Sequence, residues 1–223
     1  MLILAKKKEN KKQDKKTDET DKALIYVIMI IVVIFSIFGY FIFKNKDAVS
    51  ETEDVIYKDF VFQKNGDFWS TRVRVTTSLD DTIRDYNVHF HVTPYEVENI
   101  QTIKSTTNVS MGLNYISGAE KIYITTDPEY PASVVLGAVQ LAKILGNIYQ
   151  KDVSSAVTRE DNRTESPLIT CEDSDMETVV IHMNLGNTTS IYRDGSCIVV
   201  QGRDPFELVL AAERYSFELL GIM

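Results

Sequence analysis

Residues 121–158 read KIYITTDPEYPASVVLGAVQLAKILGNIYQKDVSSAVT, and the order of patterns inside them decides the fold class. Lys121-Ile-Tyr-Ile-Thr125 is a short run rich in strand formers, stopped by Asp127-Pro128. Ser133 to Tyr149 then places Val134, Val135, Ala138, Leu141, Ala142, Leu145 and Ile148 at spacings of three and four, with Pro131 near the start. That is a helix. Val153 to Thr158 returns to strand character. Strand, helix, strand over this length is a βαβ unit, so 121–125 and 153–158 are expected to be parallel with a right-handed crossover. Gly137, Ala138 and Ala142 carry little side chain and predict a close approach of the helix to a sheet.

Working outward, three more strands follow at Thr178–Met183, Thr189–Arg193 and Cys197–Gln201. Asn184–Asn187 joins the first two and Asp194-Gly195 the last two. Asp204-Pro205 and Glu207 open a final helix, with an N-cap acid, proline at the first position and glutamate at the third. Gly221 ends it. Upstream, Tyr57, Phe60 and Phe62 precede Asn65-Gly66, a hairpin signal. On the returning strand Trp69, Thr71, Val73 and Val75 share one face, and Arg72 and Arg74 the other. Tyr86, Val88, Phe90 and Val92 alternate with Asp85, Asn87, His89 and His91 until Pro94, as a half-buried antiparallel strand does. The expected fold is α/β or α+β: an antiparallel β meander, then a mixed sheet containing the βαβ unit with two helices. Residues 55–118 form the meander and 119–223 the α/β part.

Ahead of both lies Ala23 to Phe43, twenty-one residues without a charge. As a helix it covers about 31 Å, close to the hydrocarbon thickness of a bilayer. Tyr26, Tyr40, Phe41 and Phe43 stand near its ends, where aromatic rings favour the headgroup level. Residues 1–22 hold eight lysines and a net charge of +3; the chain after the run carries −11. Lysine ahead of a span holds that end in the cytoplasm. Phe41, Ile42, Phe43 and Lys44 occupy the place where a cleaved leader has small residues, so the run reads as an uncleaved anchor. The expected order is a lysine-rich tail at 1–22, a transmembrane helix at 23–43, a stalk at 44–54 and an extracytoplasmic head. Cys171 and Cys197, the two cysteines, both fall in that head. An oxidising compartment favours a bridge between them, and two buried free thiols are the alternative.

Several short landmarks recur together: Pro94-Tyr-Glu-Val-Glu-Asn-Ile100, Ile122-Tyr-Ile124 with Asp127-Pro128, Ile169-Thr-Cys171, Gly195-Ser-Cys-Ile-Val-Val200, and Ala211-Ala-Glu-Arg-Tyr215 with Leu220-Gly221. In this order the head resembles a group of uncharacterised single-span membrane proteins of small-genome archaea. The resemblance implies the compartment and the fold and carries no activity. In that group arginine often follows the proline that is Pro94 here, where this chain has Tyr95.

The chemistry in the sequence is sparse. His89 and His91 have a spacing that can present two imidazoles to one metal, with His182 and Glu96 or Glu98 to complete it. The strand alternation already explains them as polar residues on a solvated face, and no metal or cofactor is assigned. Asp173, Asp175 and Glu177 alternate in an acidic loop, but Thr178 and Asn184 replace the glycine and glutamate of a calcium loop. G-x-S-x-G, S-x-x-K, G-x-G-x-x-G and the phosphate-loop pattern do not occur. With net −11 and no basic stripe the head is not a nucleic-acid binder. Asn108, Asn162 and Asn187 head glycosylation sequons.

These readings lead to a non-catalytic, membrane-anchored extracytoplasmic binding protein of the cell envelope. Its expected partners are the lipid bilayer, through 23–43, and an envelope or membrane protein. An accessory subunit of a larger membrane complex is one alternative, because Ser36 and Gly39 give the span a small-residue face. A membrane-tethered hydrolase is another. Its site would lie at the ends of the parallel strands, so the binding candidates are Asp127 and Ser133 at one end, with Thr126, and Arg159 and Glu160 at the other, with Thr158.

Overall fold

The computed structural model describes residues 26, 28–40, 54–76, 82–103 and 113–223. The chain divides into two compact units, Met1–Glu51 and Thr52–Met223. In the first, residues 28–40 form helix α1. Its side chains are exposed, Phe35 at 72% and Phe38 at 63%. Ser36 turns its hydroxyl back to the Val32 carbonyl at 2.8 Å. Among the described residues no helix is long and apolar enough to cross a membrane. Residues 23–25, 27 and 41–43 of the apolar run lie outside the described residues, as do the tail and most of the stalk.

The second unit is mixed α/β. Its first sheet is a four-stranded antiparallel meander of β1 (Asp54–Tyr57), β2 (Phe60–Asn65), β3 (Phe68–Thr76) and β4 (Ile83–Phe90). The stretch ahead of Asn65-Gly66 is two strands. Lys58 takes φ +50 and lets Tyr57 pair with Phe60 across a two-residue turn. The next hairpin forms one residue later than its sequence signal. Asn65 pairs with Phe68, and Gly66 (φ +63) and Asp67 make the turn. Positive φ is thus needed only at the first turn residue, which glycine supplies. On β3, Trp69, Thr71, Val73 and Val75 are buried while Arg72 and Arg74 are exposed, as alternation predicts. Pro94 does more than stop β4. Thr93 and Glu96 form a capping box that starts the short helix α2 (Pro94–Val97).

The second sheet has six strands in the order β5-β9-β10-β8-β6-β7: β5 (Gln101–Ile103), β6 (Lys121–Thr126), β7 (Asp152–Val157), β8 (Thr178–Leu185), β9 (Ser190–Asp194) and β10 (Cys197–Gly202). Helix α3 (Leu113–Ile116) precedes β6. β6 and β7 are parallel, as the βαβ reading requires. The three later strands do not lie side by side in chain order. β10 inserts between β8 and β9, parallel to the first and antiparallel to the second. Chain neighbours β8 and β9 are therefore not paired, and β5 closes the edge beside β9.

Two helices cover one face of this sheet. α4 (Val134–Lys143) passes into a π-turn at Ile144–Ile148, so the helix expected over 133–149 is present with a change of pitch. α5 (Pro205–Leu219) begins as its sequence foretells. Asp204 Oδ1 accepts the Glu207 N–H at 2.8 Å, and Gly221 (φ +69) ends the helix. Gly137 lets α4 approach α5 more than the sheet. A methyl there would stand 2.8 Å from Ala212 Cβ, 3.1 Å from Met183 and 3.5 Å from Val209. The meander lies on the other side of α5. Phe90 and Phe62 place their ring centres 4.3 and 5.9 Å from Phe217. One buried cluster runs through all three layers. Gln140 of α4 donates to the His89 carbonyl at 2.9 Å, satisfying part of the β4 edge.

Candidate functional site

Alternation gives the six-stranded sheet two faces. Ile122, Ile124, Val179, Ile181, Met183, Ile198 and Val200 point into the main core. The opposite face holds a smaller cluster of Val180, Cys197 and Val199, flanked by Tyr123, Ile169, Cys171 and Tyr192. Along the strands this second face turns polar. Thr125 pairs with His182, His182 with Val199 and Val199 with Tyr192, making one row across four strands. The next row contains Asn184, Gln201 and Ser190. Polarity therefore rises toward the carboxyl ends of β6, β8 and β10, where α/β sheets bind ligands.

A strap from the end of β7 to the start of β8 lies over part of this face. Val157 N–H donates to the Pro167 carbonyl at 2.9 Å, and Ile169 N–H to the Val157 carbonyl at 3.0 Å. Thr125 Oγ1 donates to the Ile169 carbonyl at 2.8 Å. Cys171, in a single 3₁₀ turn (Cys171–Asp173), is bonded to Cys197 at the start of β10. The expected bridge is present. Asp173 and Asp175 cap backbone N–H groups of their own loop, at 2.8 Å to Thr170 and at 2.9 and 2.7 Å to Glu177 and Thr178.

Where the strap ends, a cleft of about 500 Å³ opens, lined by Thr170, Cys171, His182, Asn184, Tyr192 and Asp194 among others. His182 Nδ1 lies 3.7 Å from Cys171 Sγ. Burial pushes the His182 imidazole below its usual pKa, and the Asp127 charge opposes that shift. Tyr192 donates to Gln201 Oε1 at 3.3 Å. A second cleft, of about 510 Å³, lies at the start of α5 beside Gln101, Asn187, Thr189, Arg203 and Glu207. Arg203, and then Thr189, hold the Glu207 carboxyl down to about 2.

Of the strand-end candidates, the structure brings two together. Arg159 Nη2 reaches both Asp127 oxygens at 2.6 and 2.8 Å and Glu129 at 2.9 Å. Burial works against the Asp127 charge, but the Glu129 N–H and the Arg159 guanidinium outweigh it and lower its pKa. Ser133 and Glu160 are exposed and take no part in that ion pair. Asn162 and Asn187 are exposed, Asn187 on the rim of the second cleft; Asn108 lies outside the described residues.

The histidines separate. His89 Nδ1 is 2.7 Å from Ser70 Oγ. His91 is not simply on a solvated face: its Nδ1 lies 2.6 Å from Oε1 of Glu213, a fully buried residue of α5, and its backbone N–H donates to the same oxygen at 3.3 Å. Burial raises the Glu213 pKa against the pull of His91, and its Oε2 has no partner among the described residues. Sequence reasoning missed this pair, which is 122 residues apart in the chain. It also left His182 unconnected. The alternation of β8 was the available signal, since it sets His182 and Asn184 on one face. Comparison with family models, curated proteins and solved structures finds no significant match to this chain.

Proposed function

We propose that this chain is a single-span protein of the cell envelope, with a cytoplasmic amino terminus and an extracytoplasmic head that binds an envelope or membrane protein. The Cys171–Cys197 bridge carries the reading, because disulfides persist in oxidising compartments and are rare in the cytoplasm. The uncharged run 23–43 supports it, with residues 28–40 helical and apolar on every side. So does the lysine excess before that run. The Asp127–Arg159 pair removes two of the groups on which a strand-end hydrolase would depend. Protease added to intact cells is expected to degrade the head and leave a short anchored fragment. A head that survives until the membrane is permeabilised overturns the reading.

A further inference from the structure

The two sulfurs of the bridge stand in different surroundings. Cys197 is fully buried beside Val180 and Val199. Cys171 is half-buried, sits on a single 3₁₀ turn and forms part of the wall of the 500 Å³ cleft. An imidazole nitrogen is 3.7 Å from its sulfur. A staple needs neither the cleft nor the imidazole. An accessible sulfur beside a base, paired with a buried one, is the arrangement that thiol–disulfide exchange requires.

We propose that Cys171–Cys197 is a reactive disulfide that exchanges with a dithiol of a partner protein, Cys171 being the sulfur attacked and His182 its proton donor. This extends the binding role above but does not depend on the anchor. A partner thiolate entering the cleft attacks Cys171 Sγ. The Cys171–Cys197 bond breaks, its electron pair passes to Cys197 Sγ, and that sulfur takes up the proton the partner thiol released. The partner's second thiol then attacks its own sulfur in the mixed disulfide and expels Cys171. His182 takes the proton of the second partner thiol as that sulfur attacks and passes it to the departing Cys171 thiolate. Two electrons pass from partner to chain: the partner gains a disulfide and this chain holds two thiols. Cys197 is shut away from solvent while Cys171 lines the cleft beside the imidazole, so Cys171 is the sulfur that attacks in the reverse direction. The ionisable groups around the pair are Asp127, held by Arg159, and Glu172, Tyr192 and Asp194 on the cleft wall.

The test uses the full chain in detergent and reduced glutathione as the probe. Under native conditions glutathione is expected to form a mixed disulfide on Cys171 and not on Cys197, read by peptide mass spectrometry. His182→Asn should leave that step unchanged and slow the next, displacement of Cys171 from the adduct by a second glutathione, by about a hundredfold near neutral pH, the size of effect a lost general acid gives. A bridge that glutathione opens only after denaturation overturns the proposal, as does a His182→Asn adduct that releases Cys171 at the parent rate. Both measurements start from the intact disulfide, so neither needs a cysteine-free variant to fold. In Cys197→Ser, where it folds, the iodoacetamide pH profile of Cys171 should have its midpoint below that of a free thiol and return to it when His182→Asn is added. A midpoint that His182→Asn does not move also counts against the proposal.

Discussion

The two faces of the six-stranded sheet come from the same strands, yet one is a dry core and the other a partly roofed polar surface. On the inner face, branched aliphatic side chains meet two helices and, beyond them, the aromatic cluster of Phe62, Phe90 and Phe217. On the outer face, a cluster of three buried apolar residues, a strap of loop and a covalent bridge take the place of a helix. The comparison separates packing from chemistry. The helical side fixes the fold, while the thinly covered side leaves an imidazole, an amide and a phenol at a cleft.

Four measurements break or sharpen that contrast. Phe217→Ala removes a ring shared by both sheets' packing and should cost about 3–5 kcal/mol in urea unfolding. Val199→Ala on the outer face should cost well under half as much, and equal losses would erase the distinction between the faces. Next in size is the bridge. Replacing both cysteines by serine should lower stability by about 3 kcal/mol in urea unfolding. Glu213→Gln tests the joint between meander and α5. The raised pKa of Glu213 means its protonated form favours the folded state. That contribution is complete below the ordinary glutamate value of about 4.3 and is lost as pH climbs through the higher folded value. The parent should therefore weaken from acid toward neutral pH, and the glutamine variant should lose that slope. Smallest is Asp127→Asn. The lowered pKa of Asp127 gives a contribution present above about 3.9 and lost as pH falls through the folded value. Because Arg159 is half exposed, the variant should cost less than about 1 kcal/mol at neutral pH and should flatten the acid limb.

What the sequence made legible was local. The βαβ unit, the α5 cap at Asp204 and the alternation of β3 depend on residues within a few turns of one another, so period and capping chemistry expose them. The hairpins at Gly66 and Gly195 were also visible, although each turn begins at the glycine and not before it. The split at Lys58 was hidden because a lysine with positive φ carries no turn signature. The place of β10 could not be read, since strand period is the same whichever neighbour a strand acquires. The site followed the same division. The cysteines announced their bridge by number and by the expected oxidising compartment, and Asp127 and Arg159 met because parallel strands end together. His91 with Glu213 needed the meander docked on α5, and His182 with Cys171 needed the strap folded back.

The insertion of β10 between β8 and β9 sets an order of assembly. As the chain leaves the ribosome, β8 and β9 are made before the strand that joins them, so each lacks one of its two neighbours until residues 197–202 appear. Every residue of β10 is buried, and pairings that must await a later segment are slow and expose strand edges meanwhile. A chain cut short before Cys197 would leave β6, β7 and β8 as one fragment of sheet and β5 and β9 as another. Until residues 197–202 are made, one edge of β8 and one edge of β9 stay open to other strands.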